Sequence, residues 1–281
     1  MKVAAGIVLF NPDTNRLHEN LRSIKPQVDI VIIVDNSLKD NGIHDLAEQE
    51  GIIYIYNQEN RGIAYALNQI FSYCQSYGYE WVISLDQDSV VSNDIIDVYK
   101  KYLLKDVGIV CPKVIDRNFS TKRDELDYEI KEIGWCITSA SLTNVRAWHE
   151  VGGFDNSMFI DWVDLDFCIA LRSHGYKILQ TMKTQILHEL GDNSRILKFG
   201  GREIYLLNRP SWRYYYVVRN YIYIGRKWKE RIGLRGKLRE AVETIFFVTL
   251  MESNKQANFK AMIKGLIDGY KMPIVYSHIE R

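Results

Sequence analysis

The chain has 281 residues, 36 of them Lys or Arg and 35 Asp or Glu, and 47% are hydrophobic, enough for one large or two modest domains around a substantial core. A net charge of +1 and the lack of a charged tail exclude the electrostatic footprint of a general nucleic-acid binder. Cys74, Cys111, Cys136 and Cys168 are scattered without a C-x-x-C pair, which argues against a disulfide scaffold or a zinc site and fits a reducing cytoplasm.

The first element is the apolar run Val3–Phe10. Lys2 in front of it gives the outline of a signal peptide. The run is short, however, and Asn11-Pro12-Asp13 follows without a small-residue cleavage site, so a buried strand and no export are expected. Further β-branched runs at Ile30–Val34, Ile52–Tyr56 and Trp81–Leu85 read as strands, with Leu17–Ser23, Ile43–Glu50 and Ile63–Tyr77 as the intervening helices. Nearly continuous apolar strands separated by helices predict an α/β fold, its mostly parallel central sheet flanked by helices. Ligands of such sheets gather at the carboxyl ends of the strands. That rule collects Asn11-Pro12, Asp35-Asn36-Ser37, Asn57 through Gly62 and Asp86-Gln87-Asp88 in one crevice.

Each cluster has a chemical reading and a plain one. Asp86 and Asp88, one residue apart at a strand end, can hold a hard divalent cation and leave positions open for phosphate oxygens; a solvated turn uses the same residues. Asp35 and Asn36 offer the acceptors and donors that match a nucleobase edge, and an Asx turn explains them equally. Asn60-Arg61-Gly62 opens a helix: Gly62 permits close backbone approach, Arg61 supplies a charged fork, and a helix N-terminus favours an anion. An ordinary capped helix start is the alternative.

A second region runs from Ile133 to about His188, with a strand-like Gly134–Leu142, a Gly152-Gly153-Phe154-Asp155 turn and a helix over Asp161–His174. On that helix Asp161 and Asp164 share a face, and Asp166 points elsewhere. Acids at a helix start complement its dipole. The apolar flanks Met158-Phe159-Ile160 and Phe167-Cys168-Ile169 also put a carboxylate at the rim of a water-excluding pocket, as a general base requires. His188 stands alone, without metal spacing. Tyr214 through Tyr221, with Arg219 among them, is either core or a wall for sugar or phosphate.

The chain turns helical from about Leu234 with no linker before it, which reads as a packed extension. Its apolar run Ile245–Met251 is far shorter than the ~20 residues of a membrane span. Arg226-Lys227-Trp228-Lys229, with Arg231, Arg235, Lys237 and Arg239, suits a solvated helix face or an anionic membrane surface.

Taken in order, Val8-Leu9-Phe10-Asn11-Pro12, Val34-Asp35-Asn36-Ser37, Asn60-Arg61-Gly62-Ile63-Ala64, Leu85-Asp86-Gln87-Asp88-Ser89, Gly152-Gly153-Phe154-Asp155, Phe159 through Arg172, and His188 resemble the family 2 inverting glycosyltransferases of the GT-A fold, in particular their bacterial rhamnosyltransferase branch. The match runs from Met1 to about Asn220. The resemblance implies a GT-A domain over 1–225, its nucleotide-binding half about 1–110 and its acceptor and catalytic half about 111–225, followed by a helical extension over 226–281. It implies a nucleotide-sugar donor, dTDP-rhamnose by branch, held by Asn11, Asp35, Asn36, Asn60, Arg61 and Asp86. Mg²⁺ or Mn²⁺ would sit on Asp86, Asp88 and His188, Asp164 would be the catalytic base, and Arg219 would lie near the diphosphate. The family often has Glu-Asp where this chain has Val163-Asp164, which leaves Asp161, with Trp162, as a second candidate for acceptor binding.

The expected reaction is a single displacement that inverts the anomeric carbon, transferring the sugar to a hydroxyl of a saccharide or lipid-linked saccharide in cell-surface polysaccharide synthesis. The expected location is the cytoplasm or the inner face of the cell membrane. Two rival readings fit the same residues. A haloacid-dehalogenase-like phosphohydrolase would use Asp86 and Asp88 as nucleophile and acid, although its motif normally follows the first strand. The other is a non-catalytic nucleotide-sugar-binding protein on the same scaffold. A nicotinamide oxidoreductase is weaker, since no G-x-G-x-x-G follows any expected strand.

Overall fold

The computed structural model describes residues 1–116, 129–188, 195–199 and 202–276. Contacts divide the chain into two compact units: one of Met1–Phe159, Val163–His188 and Tyr276–Arg281, the other of Ile160–Trp162 and Glu189–Val275.

The first unit alternates as its apolar runs predict: β1 (Val3–Leu9), α1 (Thr14–Ile24), β2 (Ile30–Asp35), α2 (Ile43–Glu50), β3 (Ile53–Tyr56), α3 (Ile63–Ser76), β4 (Trp81–Asp86) and α4 (Ile95–Lys100). These are followed by β5 (Val107–Asp116), β6 (Ile130–Glu132), β7 (Ser141–Asn144), α5 (Val145–Glu150), α6 (Val163–Ser173) and β8 (Lys177–His188). Its sheet has the order β3-β2-β1-β4-β7-β5-β8-β6. β1 to β4 pair in parallel, while β7 runs antiparallel between β4 and β5. β8 is parallel to β5, and β6 closes the edge antiparallel to β8. The expected α/β fold with a mostly parallel sheet is thus what forms. The strands are β-branched on both faces because helices bury both, and Leu9, Leu17, Ile33, Ile83 and Tyr99 meet in one core.

Two expectations need correction. Of Gly134–Leu142 only Ser141 and Leu142 enter a strand, because Ala140 adopts a left-handed φ of 57° just before β7 and its carbonyl accepts the buried Tyr99 hydroxyl. The helix expected from Asp161 starts at Val163, because Asp161 and Trp162 have φ of 62° and 68°. Asp161 and Asp164 therefore do not share a helical face.

The second unit contains β9 (Arg195–Phe199) paired with β10 (Arg202–Leu206), then α7 (Ser211–Lys227), α8 (Leu234–Met251) and α9 (Lys255–Lys271). Tyr214, Val218, Ile222, Ala241, Val248 and Met262 form its core, with Tyr221 packed against it. No helix among the described residues is long and apolar enough to cross a membrane.

Candidate active site

Strand register levels the carboxyl ends. Leu9 pairs with Asp35, Asp35 with Tyr56, and Val8 with Asp86, so the polar residues that follow these strands emerge along one edge of the sheet. Backbone bonds tie the loops together: the Asn36 amide donates to Leu9 O, the Asn57 amide to Asp35 O, and the Asn11 amide to Ser37 Oγ at 2.8 Å.

Asp35 is wholly buried. Its Oδ1 accepts from the Ser37 amide (2.8 Å), and its Oδ2 accepts from Asn41 Nδ2 (2.8 Å) and the Tyr54 hydroxyl (2.9 Å). Burial, and after it the bond to Asp35, pushes the Tyr54 phenol well above its ordinary value, so it stays a donor. Asn36 accepts from Asn57 Nδ2 at 2.8 Å and donates to Gly62 O at 3.2 Å. Asn60 Oδ1 caps the Gly62 amide at 3.1 Å. Arg61 is exposed, beside Glu59 at 3.2 Å and over the Tyr65 ring at 3.7 Å.

Gly62 joins this edge to the next part of the site. Its φ of 83° and ψ of 166° lie where glycine is nearly alone. A Cβ there would come within 2.6 Å of Phe159 O, and the Ile63 amide donates to that oxygen at 2.7 Å. One turn on, the α3 residue Asn68 accepts from Trp148 Nε1 (3.0 Å) and the Phe154 amide (2.9 Å), and donates to Phe154 O (2.8 Å). The Gly152-Gly153-Phe154-Asp155 turn and Phe159 are therefore both anchored on α3. Sequence reasoning passed over Asn68, although an Asn among Ala64, Ala66, Leu67, Ile70 and Phe71 is the signal of a buried polar anchor.

Beyond Phe159 the backbone is strained. Phe159, Asp161 and Trp162 all have positive φ, and each such non-glycine residue costs ~1–3 kcal/mol that the surroundings must offset. Asp161 is held by Arg209 (3.2 Å) and Arg213 (3.1 Å), and Trp162 lies 4.7 Å from the Tyr221 ring with Lys237 Nζ 4.9 Å from its own centroid. Arg219, buried within the second unit, donates to Asn220 Oδ1 and sits 4.6 Å from the Tyr216 ring. Asp164, half-buried in the first turn of α6, follows immediately; Asp166 behind it is buried.

Asp86 is half-buried at the end of β4 and Asp88 exposed two residues on, 3.6 Å from Arg16. Gln87 accepts from the Phe10 amide at 3.0 Å, and buried Asn20 donates to Asp86 O at 2.7 Å, which fixes the turn that carries both acids. Among the described residues no three or more His, Cys, Asp or Glu are placed so that they could hold a metal ion. The carboxylates of Asp86 and Asp88 are oxygen donors of the kind a hard divalent cation takes. His188 closes β8 and so reaches the same edge of the sheet as Asp86; its side chain lies outside the described residues.

Comparison with known proteins identifies the family and the fold. The family model described as glycosyl transferase family 2 matches residues 5–168. The chain is 29% identical to a dTDP-rhamnosyl transferase, RfbF, of Shigella flexneri, across 96% of this chain and 95% of that one. Among solved structures it is similar to S. aureus TarS 1-349 at a TM-score of 0.60 and 12% identity, over 95% of this chain and 81% of that one. It is also similar to GalNAc-T7 with UDP, GalNAc and Mn²⁺ at 0.58 and 12%, over 94% and 56%. At such identity these two neighbours establish the fold alone, and that fold is GT-A.

Proposed function

The chain belongs to glycosyl transferase family 2, and from that premise we propose a metal-dependent, inverting rhamnosyltransferase that takes dTDP-rhamnose as donor. The observation that carries the reading is the levelled strand edge, with Asn11, Asp35, Asn36, Asn60 and Asp86 along it and Gly62 closing on the segment that leads to Asp164. The donor sugar is inferred from the RfbF relative. A divalent metal is inferred from the Asp86 and Asp88 pair and from the Mn²⁺ in the GalNAc-T7 structure.

In this reading Asp35 and Asn36 order the loop that receives the base, and exposed Arg61 faces the nucleotide. Asp86 and Asp88, with His188, would hold Mg²⁺ or Mn²⁺, which supplies charge neutralisation to the departing nucleoside diphosphate. Asp164 takes the proton of the acceptor hydroxyl as that oxygen attacks the anomeric carbon. The carboxylate needs no covalent partner, so the anomeric configuration inverts. The acceptor would be a saccharide, free or lipid-linked. The protein would work at the cytoplasmic face of the membrane, where α8 presents Leu238, Val242, Phe246 and Leu250 in exposed positions beside Arg235 and Arg239.

A thermal-shift panel of nucleotide sugars, with and without Mn²⁺, is the test. dTDP-rhamnose should stabilise the parent selectively and Mn²⁺ should add to the shift; Asp88→Ala should lose the Mn²⁺ increment. Asp164→Asn should keep the donor shift and lose ~10²–10⁴-fold in transfer. A UDP-sugar preference would overturn the donor, an unchanged metal response in Asp88→Ala would overturn the cation role, and transfer within about threefold of parent would overturn the base.

A further inference from the structure

We propose that Asn220, Arg209 and Arg213 are positioning residues for the reaction: they hold the strained turn 160–162 and so set where Asp164 presents its carboxylate. The inference rests on Asp164 being the base.

Residues 160–162 belong by their contacts to the C-terminal unit, although they precede α6 in the chain. Asn220 on α7 is wholly buried, and its Nδ2 donates to two successive carbonyls, Ile160 O at 2.8 Å and Asp161 O at 2.9 Å. Its Oδ1 accepts from Arg219 Nε at 3.0 Å, which fixes the amide so that the NH₂ group faces the turn. Asp161 is gripped from its other end: Arg213 donates through Nε (3.1 Å) and Nη2 (3.1 Å), and Arg209 through Nη1 (3.2 Å). A bidentate fork fixes direction as well as distance. Five bonds therefore converge on a three-residue turn with two left-handed non-glycine residues. Backbone of that kind persists only where its surroundings over-determine it.

A turn held so firmly immediately before a half-buried carboxylate has a use. Only Val163 separates Trp162 from Asp164, so a rotation in the turn moves the carboxylate. General-base transfer requires the carboxylate within hydrogen-bond reach of the acceptor hydroxyl, and a displacement of ~1 Å can lower a rate ~10²-fold. The Asp161 carboxylate is taken up in this anchoring.

The test is a set of variants read by steady-state kinetics and by deuterium uptake over a peptide spanning 158–166. Asn220→Ala should lower kcat roughly 10- to 100-fold with the donor KM within about twofold of parent, and should raise uptake across the turn. Arg213→Ala, at a half-exposed position, should do the same to a smaller degree, and it carries the test if Asn220→Ala does not fold. In an Asp164→Asn background neither should lower the residual rate by more than about twofold, since the turn acts through that carboxylate. Asn258→Ala is the control: this buried α9 amide accepts from Ser211 Oγ and donates to Ser253 O without touching the turn. It should lower the melting temperature yet leave kcat within about twofold when assayed below it. A parental kcat in Asn220→Ala, or an equal loss with and without Asp164, overturns the proposal. A parental rate in Asp164→Asn alone overturns the base assignment instead.

Discussion

Along the strand edge proposed to take the donor, here the donor edge, polar side chains are held by residues two to six positions away or by a neighbouring strand: Ser37 and Asn41 on Asp35, Gly62 on Asn60, Asn57 on Asn36. The turn before Asp164 is held from 48 to 60 positions downstream, by Arg209, Arg213 and Asn220. The donor edge is thus shaped largely within its own strand–loop–helix repeats. The turn takes its shape from another part of the chain. The lesson is one of tolerance: substitutions near the donor edge act on the loop that carries them, whereas substitutions in α7 act on a segment they follow by two score residues or more.

Gly62 is where that contrast can be broken most severely, because it is the donor-edge residue that also touches the segment leading to Asp164. An alanine there would need a backbone conformation nearly reserved to glycine and would put Cβ 2.6 Å from Phe159 O and 2.7 Å from Phe159 Cδ2. Gly62→Ala should depress both donor affinity and kcat, with kcat/KM down ~10²-fold or more. Titration of donor binding beside steady-state kinetics separates the two losses. Intact donor binding would mean that the edge and the Phe159 segment are not coupled through this contact.

How much could be read in the sequence follows the same division. β1 to β4 and the helices between them were legible because apolar runs of fixed period sit between turn residues, and Asn11, Asp35 and Asp86 follow those runs within two residues. Gly62 was legible as a close-approach glycine, but its partner was not, since nothing local to residue 62 points to Phe159. The helix start at Asp161 was misplaced for a physical reason: its acids fit a helix N-terminus, while two arginines some fifty residues away hold Asp161 in a left-handed conformation. The Tyr-rich stretch of α7 was legible only as either core or a wall for a ligand, and Asn220 carried no signal beyond being polar in an apolar run.

A smaller effect distinguishes two glycines of the C-terminal unit. Gly269 on α9 meets α7 backbone to backbone, and a Cβ there would stand 2.3 Å from Arg219 O; Gly265, one turn earlier, would meet Tyr215 O at 2.4 Å. Gly236 on α8 has nothing within 4 Å. The same substitution should therefore have opposite signs. Gly269→Ala should destabilise by ~1–3 kcal/mol through overpacking, and Gly236→Ala should stabilise by up to ~1 kcal/mol through helix propensity. Chemical denaturation of both variants measures the difference. Equal effects would mean that α7 and α9 can separate without loss.

The smallest change in stability, and the sharpest question about the surface of this unit, belongs to α8. Arg235 and Arg239 occupy the start of its exposed face, and Val242, Phe246 and Leu250 continue that face toward the end of the helix, each apolar residue about half exposed. Between residues 226 and 276 eleven Lys and Arg face five Asp and Glu, although the whole chain carries only +1. The positive charge is thus concentrated where apolar side chains are exposed, the pairing that an anionic bilayer surface attracts. Phe246→Ser should leave folding within about 0.5 kcal/mol of parent, since the side chain is not in the core, yet should reduce flotation with anionic liposomes. Arg235→Glu should reduce it further at low salt and little at high salt, where screening removes the charge term. If neither variant floats differently from parent, the face meets solvent or another protein; if only Phe246→Ser changes, the attraction is apolar and the arginines are a solvated helix face.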